Sequence, residues 1–390
     1  MKTKTVNLGQ VCDFIRGVTF DKAEATDRAG TGKTPILRAG NIQEELDAQN
    51  DLLWVPDARV SEEQHLRKND IAICMSSGSP EVVGKTARVP SNLQASIGSF
   101  CGIIRPKNPD EASYLSFFFR STAFRSHRDA IARGANIQNL RFSQLEGIEL
   151  EIPGEQQQIA ERLEQAGRLR HNRRYALELT ATFLPATFLK LFGDPQANPC
   201  NWERAKICEL GDVQTGNTPP RENADYYGNA IEWIKSDNIN LSRMHPSKAT
   251  EGLSDKGIEV GRVVEAGSLL LTCIAGSETS IGNVVLTDRR VAFNQQINAV
   301  TPHRGVDPRF LYGLFLAAKP MIQRNTTLAM KRMITKGKLE ELVLIKPPPP
   351  LQQKFAALVE RVERLRAVQR ESLRQAEHLF ASLLHRAFSG

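Results

Sequence analysis

Residues 154–195 read GEQQQIAERLEQAGRLRHNRRYALELTATFLPATFLKLFGDP, and residues 350–390 read PLQQKFAALVERVERLRAVQRESLRQAEHLFASLLHRAFSG. Laid side by side, they match. Gln156-Gln157 falls on Gln352-Gln353, Ile159 on Phe355, Leu163 on Val359, and Arg168-Leu169-Arg170 on Arg364-Leu365-Arg366. Further on, Leu177 meets Leu373, Phe183 meets Leu379, and Phe192 meets Phe388. Both stretches are rich in Leu, Arg, Glu and Gln, and their apolar residues recur at steps of three or four, as in a helix with one sticky face. Each has room for about 35–40 helical residues, roughly 55–60 Å. Such a stripe cannot be buried by one helix alone. Two antiparallel, coiled-coil-like helices are therefore expected to pair. The candidate pairing and partner-docking residues are Ile159, Leu163, Leu169, Leu177 and Phe183 on the first helix. On the second they are Leu358, Val362, Leu365, Leu379 and Leu383. Around Asn172-Arg173 and Gln369-Arg370 the stripe turns polar, either to set the register or as a solvated patch. Pro185 should kink or interrupt the first helix, and Phe192-Gly193-Asp194-Pro195 should end it.

The segments in front of the two helices also correspond, giving a repeat of roughly 195 residues, far longer than a solenoid period. Val6-Asn7-Leu8-Gly9 resembles Cys208-Glu209-Leu210-Gly211, and residues 36–42 (ILRAGNI) resemble 233–239 (WIKSDNI). Gly78-Ser79 with Gly84 resembles Gly276-Ser277 with Gly282. Short apolar runs at 71–75, 102–105, 269–274 and 299–301 predict strands, and 112–133 and 308–325 predict one helix per half. Residues 148–152 and 342–345 should be closing strands. The expected fold is α+β/mixed: two globular α/β domains joined by two long antiparallel coiled-coil helices, with pseudo-twofold internal repetition. The expected divisions are 1–153, 154–193, 194–347 and 348–390.

The chain has 390 residues, 51 Lys and Arg against 44 Asp and Glu, a net charge of +7, and 41% hydrophobic residues. That mild basic excess suits a polyanionic partner without proving one. No run of apolar residues is long enough for a membrane span, and the first residues lack an apolar signal region. Six scattered cysteines with no CxxC pair fit a reducing cytoplasm and argue against a zinc ribbon.

Catalytic motifs are missing. Gly30-Thr31-Gly32-Lys33-Thr34 has Asp27 where a P-loop needs its first glycine. Pro109-Asp110 lacks the acidic-x-Lys triplet of a metal-dependent nuclease and is expected to form a turn. No methyltransferase Asn/Asp-Pro-Pro-aromatic motif, HExxH or GxSxG is present. A chain of this length without a catalytic constellation points to recognition and scaffolding.

Two stretches carry a family resemblance. One is Gly216-Asn217-Thr218-Pro219-Pro220, then Tyr226-Tyr227-Gly228, Ile231-Glu232-Trp233-Ile234 and Asp237-Asn238-Ile239. The other is Gly134-Ala135-Asn136-Ile137-Gln138-Asn139-Leu140, then residues 148–153 and Gln156-Gln157-Gln158-Ile159. Together with the repeat, they resemble the specificity subunit of Type I DNA restriction-modification systems. The second half departs from the GxNIxxL pattern with Met330-Lys331-Arg332-Met333-Ile334, and the first has Gly17-Val18-Thr19-Phe20 in place of GNTP.

The resemblance implies two target recognition domains, each reading half of a bipartite double-stranded DNA site. The helices would act as a spacer and as the dock for two methyltransferase subunits, with motor-nuclease subunits beyond them. S-adenosylmethionine, ATP and Mg would belong to those partners, leaving this chain non-catalytic and without a metal of its own. Half-sites one helical turn apart lie about 34 Å centre to centre, a span that helices of this length can bridge. Two alternatives stay open: the specificity subunit of a Type IIB-like fused restriction-methylation enzyme, and a coiled-coil protein scaffold that binds no DNA.

Base reading calls for polar and cationic side chains on loops. The candidates in the first half are Arg38, Asn41, Ser76, Ser77, Ser79, Lys85, Arg133, Asn136, Gln138, Asn139 and Arg141. In the second half they are Lys235, Asp237, Asn238, Ser277, Glu278, Thr279, Asn294, Gln295, Gln296, Lys331, Arg332, Lys336 and Lys338. Asn41 and Asn238 serve equally well as turn caps. Residues 331–338 suit phosphates better than bases. The Arg-rich helix faces are expected to be solvated, or to lie against DNA or a partner.

Overall fold

The computed structural model describes residues 3–133, 139–241, 243–327 and 332–389, with backbone only at 131–133. It forms two compact units. One comprises Met1–His171 with Arg374–Gly390, and the other Asn172–Leu373. These units cut across the four expected segments, because each takes a share of both long helices.

Period-two alternation builds two cores around one strand in each unit. In the first unit, Ile71–Cys74 pairs antiparallel with Cys101–Pro106 on one side and Thr86–Arg88 on the other. Cys12–Arg16 completes that sheet. All four residues of Ile71–Cys74 are buried. Ile71 and Ile73 pack with Ile104, Leu115 and Phe118. Ala72 and Cys74 face the other way, towards Leu37, Ile97 and Ile103. That second core lies under a smaller sheet in which Lys33–Leu37 pairs antiparallel with Leu53–Pro56 and parallel with Ser96–Ile97. The second unit repeats the plan. Leu269 and Leu271 pack in one core and Leu270 in the other, beside Ile234 and Phe293. Trp233 and Ile234 pair parallel with Ala292 and Phe293. The predicted closing strands are present as Glu149–Ile152, on Lys4–Asn7, and Val343–Lys346, on Glu203–Lys206.

One helical expectation needs correction, and another is met. Residues 112–133 form two helices, Ala112–Phe118 and Thr122–Arg133. Between them, the buried Ser121 hydroxyl donates to the Phe118 carbonyl at 2.7 Å and accepts from the Phe124 amide at 3.2 Å. The central helix is interrupted near Pro185, as expected: Gln156–Ala181, then Phe183–Phe192, with Pro185 in the first turn of the second piece. There the missing N–H costs little. Gly193 follows in a left-handed conformation, φ +77°. The C-terminal helix runs unbroken over Pro349–Phe388.

In the first unit, Leu163 and Ala166 near the start of the central helix cluster with Phe380 and Leu384 near the end of the C-terminal one. In the second unit, Phe188 and Phe192 stack against Phe355, at 5.3 and 5.7 Å between ring centres. In the first unit Ile159 packs with Phe388 while Arg170 lies over Phe380, so the two helices run antiparallel there.

On the C-terminal helix the buried stripe sits one residue beyond the expected one except at Val362. It is Phe355, Val359, Val362, Arg366, Ala376, Phe380 and Leu384. Leu365, Leu379, Leu169 and Phe183 are exposed, whereas Leu163 and Val362 are buried as expected. Ile159, Leu177, Leu358 and Leu383 are half-buried. Two arginines lie within the packing. Arg366 is 2% exposed and pairs with Glu363 at 2.8 Å. Its repeat counterpart, Arg170, pairs with Glu44 and lies 4.1 Å from the Phe380 ring centre. These two arginines belong to the packing, not to a solvated face.

Candidate nucleic-acid interface

The loops at one end of each main sheet are fixed by the same backbone pattern. In the first unit the Phe100 carbonyl accepts from both the Met75 and Ser76 amides, each at 2.9 Å. In the second, the Gln296 carbonyl accepts from Cys273 and Ile274 at 2.8 and 3.1 Å. Beside this clamp, the Leu140 amide donates to Met75, and the Ile334 amide donates to Cys273. The second half thus keeps the hydrogen bond made by Leu140, with Ile334 at its position.

A second shared device holds the neighbouring loop. The Asn41 carboxamide accepts from the Arg38 amide at 2.8 Å and donates to the Asp47 and Asn50 carbonyls. Asn238 accepts from the Lys235 amide at 3.0 Å and donates to Ser247 and Lys248. They are 2% and 9% exposed. With their polar atoms committed inside the protein, both are loop-holding residues, the cap role that the sequence allowed. Arg38 and Lys235 stand at matching positions beside them.

In the first unit, a cleft of about 1020 Å³ brings Arg38, Ser76 and Ser77 together with Lys22, Ser99 and Phe100. Ser79 is exposed next to it, its amide donating to the Ser77 hydroxyl. Asn139 bridges to Ser76, which places the end of the GxNIxxL motif beside the cleft. Lys85 lines a separate cleft of about 310 Å³ with Arg120, Arg125 and Arg128. Arg141 is exposed at the start of the Phe142–Glu146 helix. The Arg133 side chain, Asn136, Gln138 and Lys331 lie outside the described residues.

In the second unit, Asp237, Ser277, Glu278, Thr279 and Gln295 are exposed. Glu278 pairs with Arg332 at 2.8 Å, and the Ser277 and Thr279 hydroxyls meet at 2.6 Å. Asn294 is 6% exposed and bonds to Gln296. Lys336 and Lys338 are exposed on the one-turn helix Lys336–Glu340, capped by Thr335.

Sequence reasoning missed a cation–aromatic cluster in this unit. Arg221 lies 4.7 and 4.9 Å from the Tyr227 and Trp233 ring centres, and Lys235 lies 5.1 Å from Trp233. Glu251 binds both cations. The hydrogen bond from Lys235 is the main force holding its carboxyl below the usual range. The Gly-Asn-Thr-Pro stretch supports this cluster. Asn217 donates to the Val260 carbonyl and accepts from the Arg262 amide, each at 2.8 Å, and its own carbonyl receives the Trp233 indole N–H. The Tyr227 hydroxyl donates to the Pro219 carbonyl at 2.6 Å.

Among the described residues, no three His, Cys, Asp or Glu side chains are grouped to hold a metal ion, and no helix is long and apolar enough to cross a membrane. Cys12, Cys74, Cys101 and Cys273 are buried thiols. The arrangement offers loop-borne cations, amides and hydroxyls on a rigid backbone, which suits recognition.

Comparison with known proteins identifies the class. The profile of the Type I restriction modification DNA specificity domain matches residues 2–179 and again 199–378. The chain belongs to that family, with one copy of the domain in each half. It is 38% identical over 162 residues to the Type I restriction enzyme StySPI specificity subunit of Salmonella potsdam, covering 41% of this chain and 35% of that protein. It is 37% identical over 156 residues to the EcoKI specificity subunit of Escherichia coli, covering 40% and 34%. The chain thus spans about a third of the length of these curated relatives. The crystal structure of the Type I restriction-modification S subunit from M. genitalium has the same fold, with a TM-score of 0.58 at 16% identity, over 100% of this chain and 96% of that one.

Proposed function

We propose that this chain is the non-catalytic, sequence-reading subunit of a Type I restriction-modification complex. Each unit reads one half of a bipartite double-stranded DNA site. The observation that carries this reading is the doubling of one specificity domain, each copy with the same carbonyl clamp and the same buried asparagine beneath its loops. One backbone frame presents different side chains in the two halves, as a reader of two unlike half-sites requires.

Arg38, Ser76, Ser77 and Ser79 are the first unit's candidates for base and phosphate contact. Lys235, Asp237, Ser277, Thr279 and Gln295 are the second's. Lys85, Arg141, Arg332, Lys336 and Lys338 suit phosphates. The exposed Leu169, Phe183, Leu365 and Leu379 are proposed to dock methyltransferase subunits. S-adenosylmethionine would be used by those subunits, and ATP and Mg by motor-nuclease subunits. The setting is cytoplasmic.

The test is a map of N6-methyladenine in cells carrying the methyltransferase partner, with and without this gene. A bipartite motif that disappears with the gene supports the reading and reveals both half-sites. An unchanged map with an active partner overturns it.

A further inference from the structure

The clamp is the same in both units, but the residue that provides it is not. In the first unit it is Phe100, whose side chain is 69% exposed. In the second it is Gln296, whose carboxamide oxygen accepts from Ser236 and Asn294. Phe100 is the most exposed large apolar side chain recorded in either unit, the residues of the long helices included. Its ring has no structural duty to match that exposure, because the clamp uses only its carbonyl oxygen. It stands in the wall of the large cleft beside Arg38, Ser76 and Ser77. Those neighbours can bind phosphates and the polar edges of bases. A phenyl ring can do neither. The apolar feature of the major groove is the C5-methyl group of thymine.

We propose that Phe100 is a specificity-determining residue of the first unit, reading thymine through apolar contact with its C5-methyl group. The proposal deepens the DNA-reading assignment above and rests on it. The second unit carries Gln296 at this position and lacks the contact.

The experiment uses the full chain in complex with its methyltransferase subunits. Its probes are duplexes bearing the bipartite site mapped in cells, with each thymine of the first unit's half-site replaced in turn by deoxyuridine, which lacks only the methyl group. At one position the wild-type complex should bind the uracil duplex about three- to fivefold more weakly, the loss expected for one unburied methyl group. Phe100→Ala should bind both duplexes equally, at roughly the level of the wild type on uracil. Phe100→Leu, which remains apolar, should retain part of the discrimination.

The proposal is overturned if no thymine shows a wild-type loss that Phe100→Ala abolishes. It is also overturned if Phe100→Ala weakens thymine and uracil duplexes by the same factor, which would indicate stacking or a structural role. A wild-type complex that binds no bipartite duplex overturns the DNA reading and this proposal together. Normal bipartite binding with no uracil effect overturns this proposal alone.

Discussion

Replacing Gly216 with alanine places a methyl group where main chain already stands. The new Cβ would lie 2.2 Å from the Asn294 carbonyl oxygen and 2.6 Å from that of Phe293. Real Cβ contacts do not fall below 3.0 Å, so the Asn294 carbonyl must retreat by about 0.8 Å. It cannot do so freely. The Asn294 amide donates to Ile234 at 3.0 Å, the Gly216 amide donates to Ile297 at 3.0 Å, and two residues on lies the Gln296 clamp. The displacement therefore passes into the loop that carries Gln295 and Gln296. Overpacking of this kind costs about 1–3 kcal/mol. For a unit of this size, that lowers the melting temperature by roughly 2–4 °C per kcal/mol. Gly276 provides the control, since a Cβ there meets nothing within 4 Å. Gly276→Ala should stay within about 0.5 kcal/mol of the parent. Two assays read the outcome: thermal melting of the purified chain, and the methylation motif in cells. Gly216→Ala should lower the melting temperature and relax or abolish only one half of the motif. Gly17→Ala should do the same to the other half, because its Cβ would lie 2.1 Å from the Gly98 carbonyl oxygen. If Gly216→Ala melts like the parent and methylates the same sequence, or if Gly276→Ala is equally harmful, the close-approach argument is wrong.

Asn41→Ala and Asn238→Ala each remove a buried carboxamide and the loop hydrogen bonds it makes, and should cost about 1–3 kcal/mol, read from urea unfolding. Phe355→Ala removes a fully buried ring from the cluster with Phe188 and Phe192, and should destabilise the chain by about 3–5 kcal/mol in the same assay. Leu365→Lys alters a side chain 57% exposed; it should leave the melting temperature unchanged while preventing co-purification of the methyltransferase, and retained co-purification would remove Leu365 from the docking face. Burial pushes the Glu164 carboxyl up, but hydrogen bonds from Ser113 and Arg88, with the charges of Arg88 and Arg168, outweigh it and hold the group below its ordinary 4.5. The stability it contributes is therefore complete above about pH 4.5 and lost as the pH falls through the lowered value. Glu164→Gln should reduce the loss of stability measured on acidification across that window.

The repeat was readable because helix and strand signals recur in matching order, and the family motifs follow the same spacing. The strand at Ile71–Cys74 and its counterpart Leu269–Thr272 were visible as continuous apolar runs. The buried helical stripe was misplaced by one residue because it includes Arg366, whose charge conceals its burial. Pairing with Glu363 makes that burial tolerable, and such pairing is a tertiary fact. The site was less legible than the fold. Residue type singles out Arg38, Ser76 and Ser77, which the structure brings together in one cleft. Phe100 was passed over because a single aromatic residue in a loop has no period to betray it. The clamp itself leaves no trace in the sequence, since carbonyl oxygens are common to every residue. The Arg221–Trp233–Lys235 cluster did have a signal: an arginine directly after Pro219-Pro220, with an aromatic pair and a tryptophan downstream.

That clamp also bears on how such a chain could acquire new targets. A loop held by its own carbonyl oxygen leaves that residue's side chain open, whether exposed as Phe100 is or hydrogen-bonded as Gln296 is. Phenylalanine and glutamine already occupy the same position in the two halves of one molecule. Exchanges there can accumulate without refolding the domain, and on the proposed function each would alter what the loop reads. The parts that resist change are instead the glycines packed against main chain and the asparagines beneath the loops. Variation among relatives should accordingly concentrate at the displayed positions and be scarce at those supports.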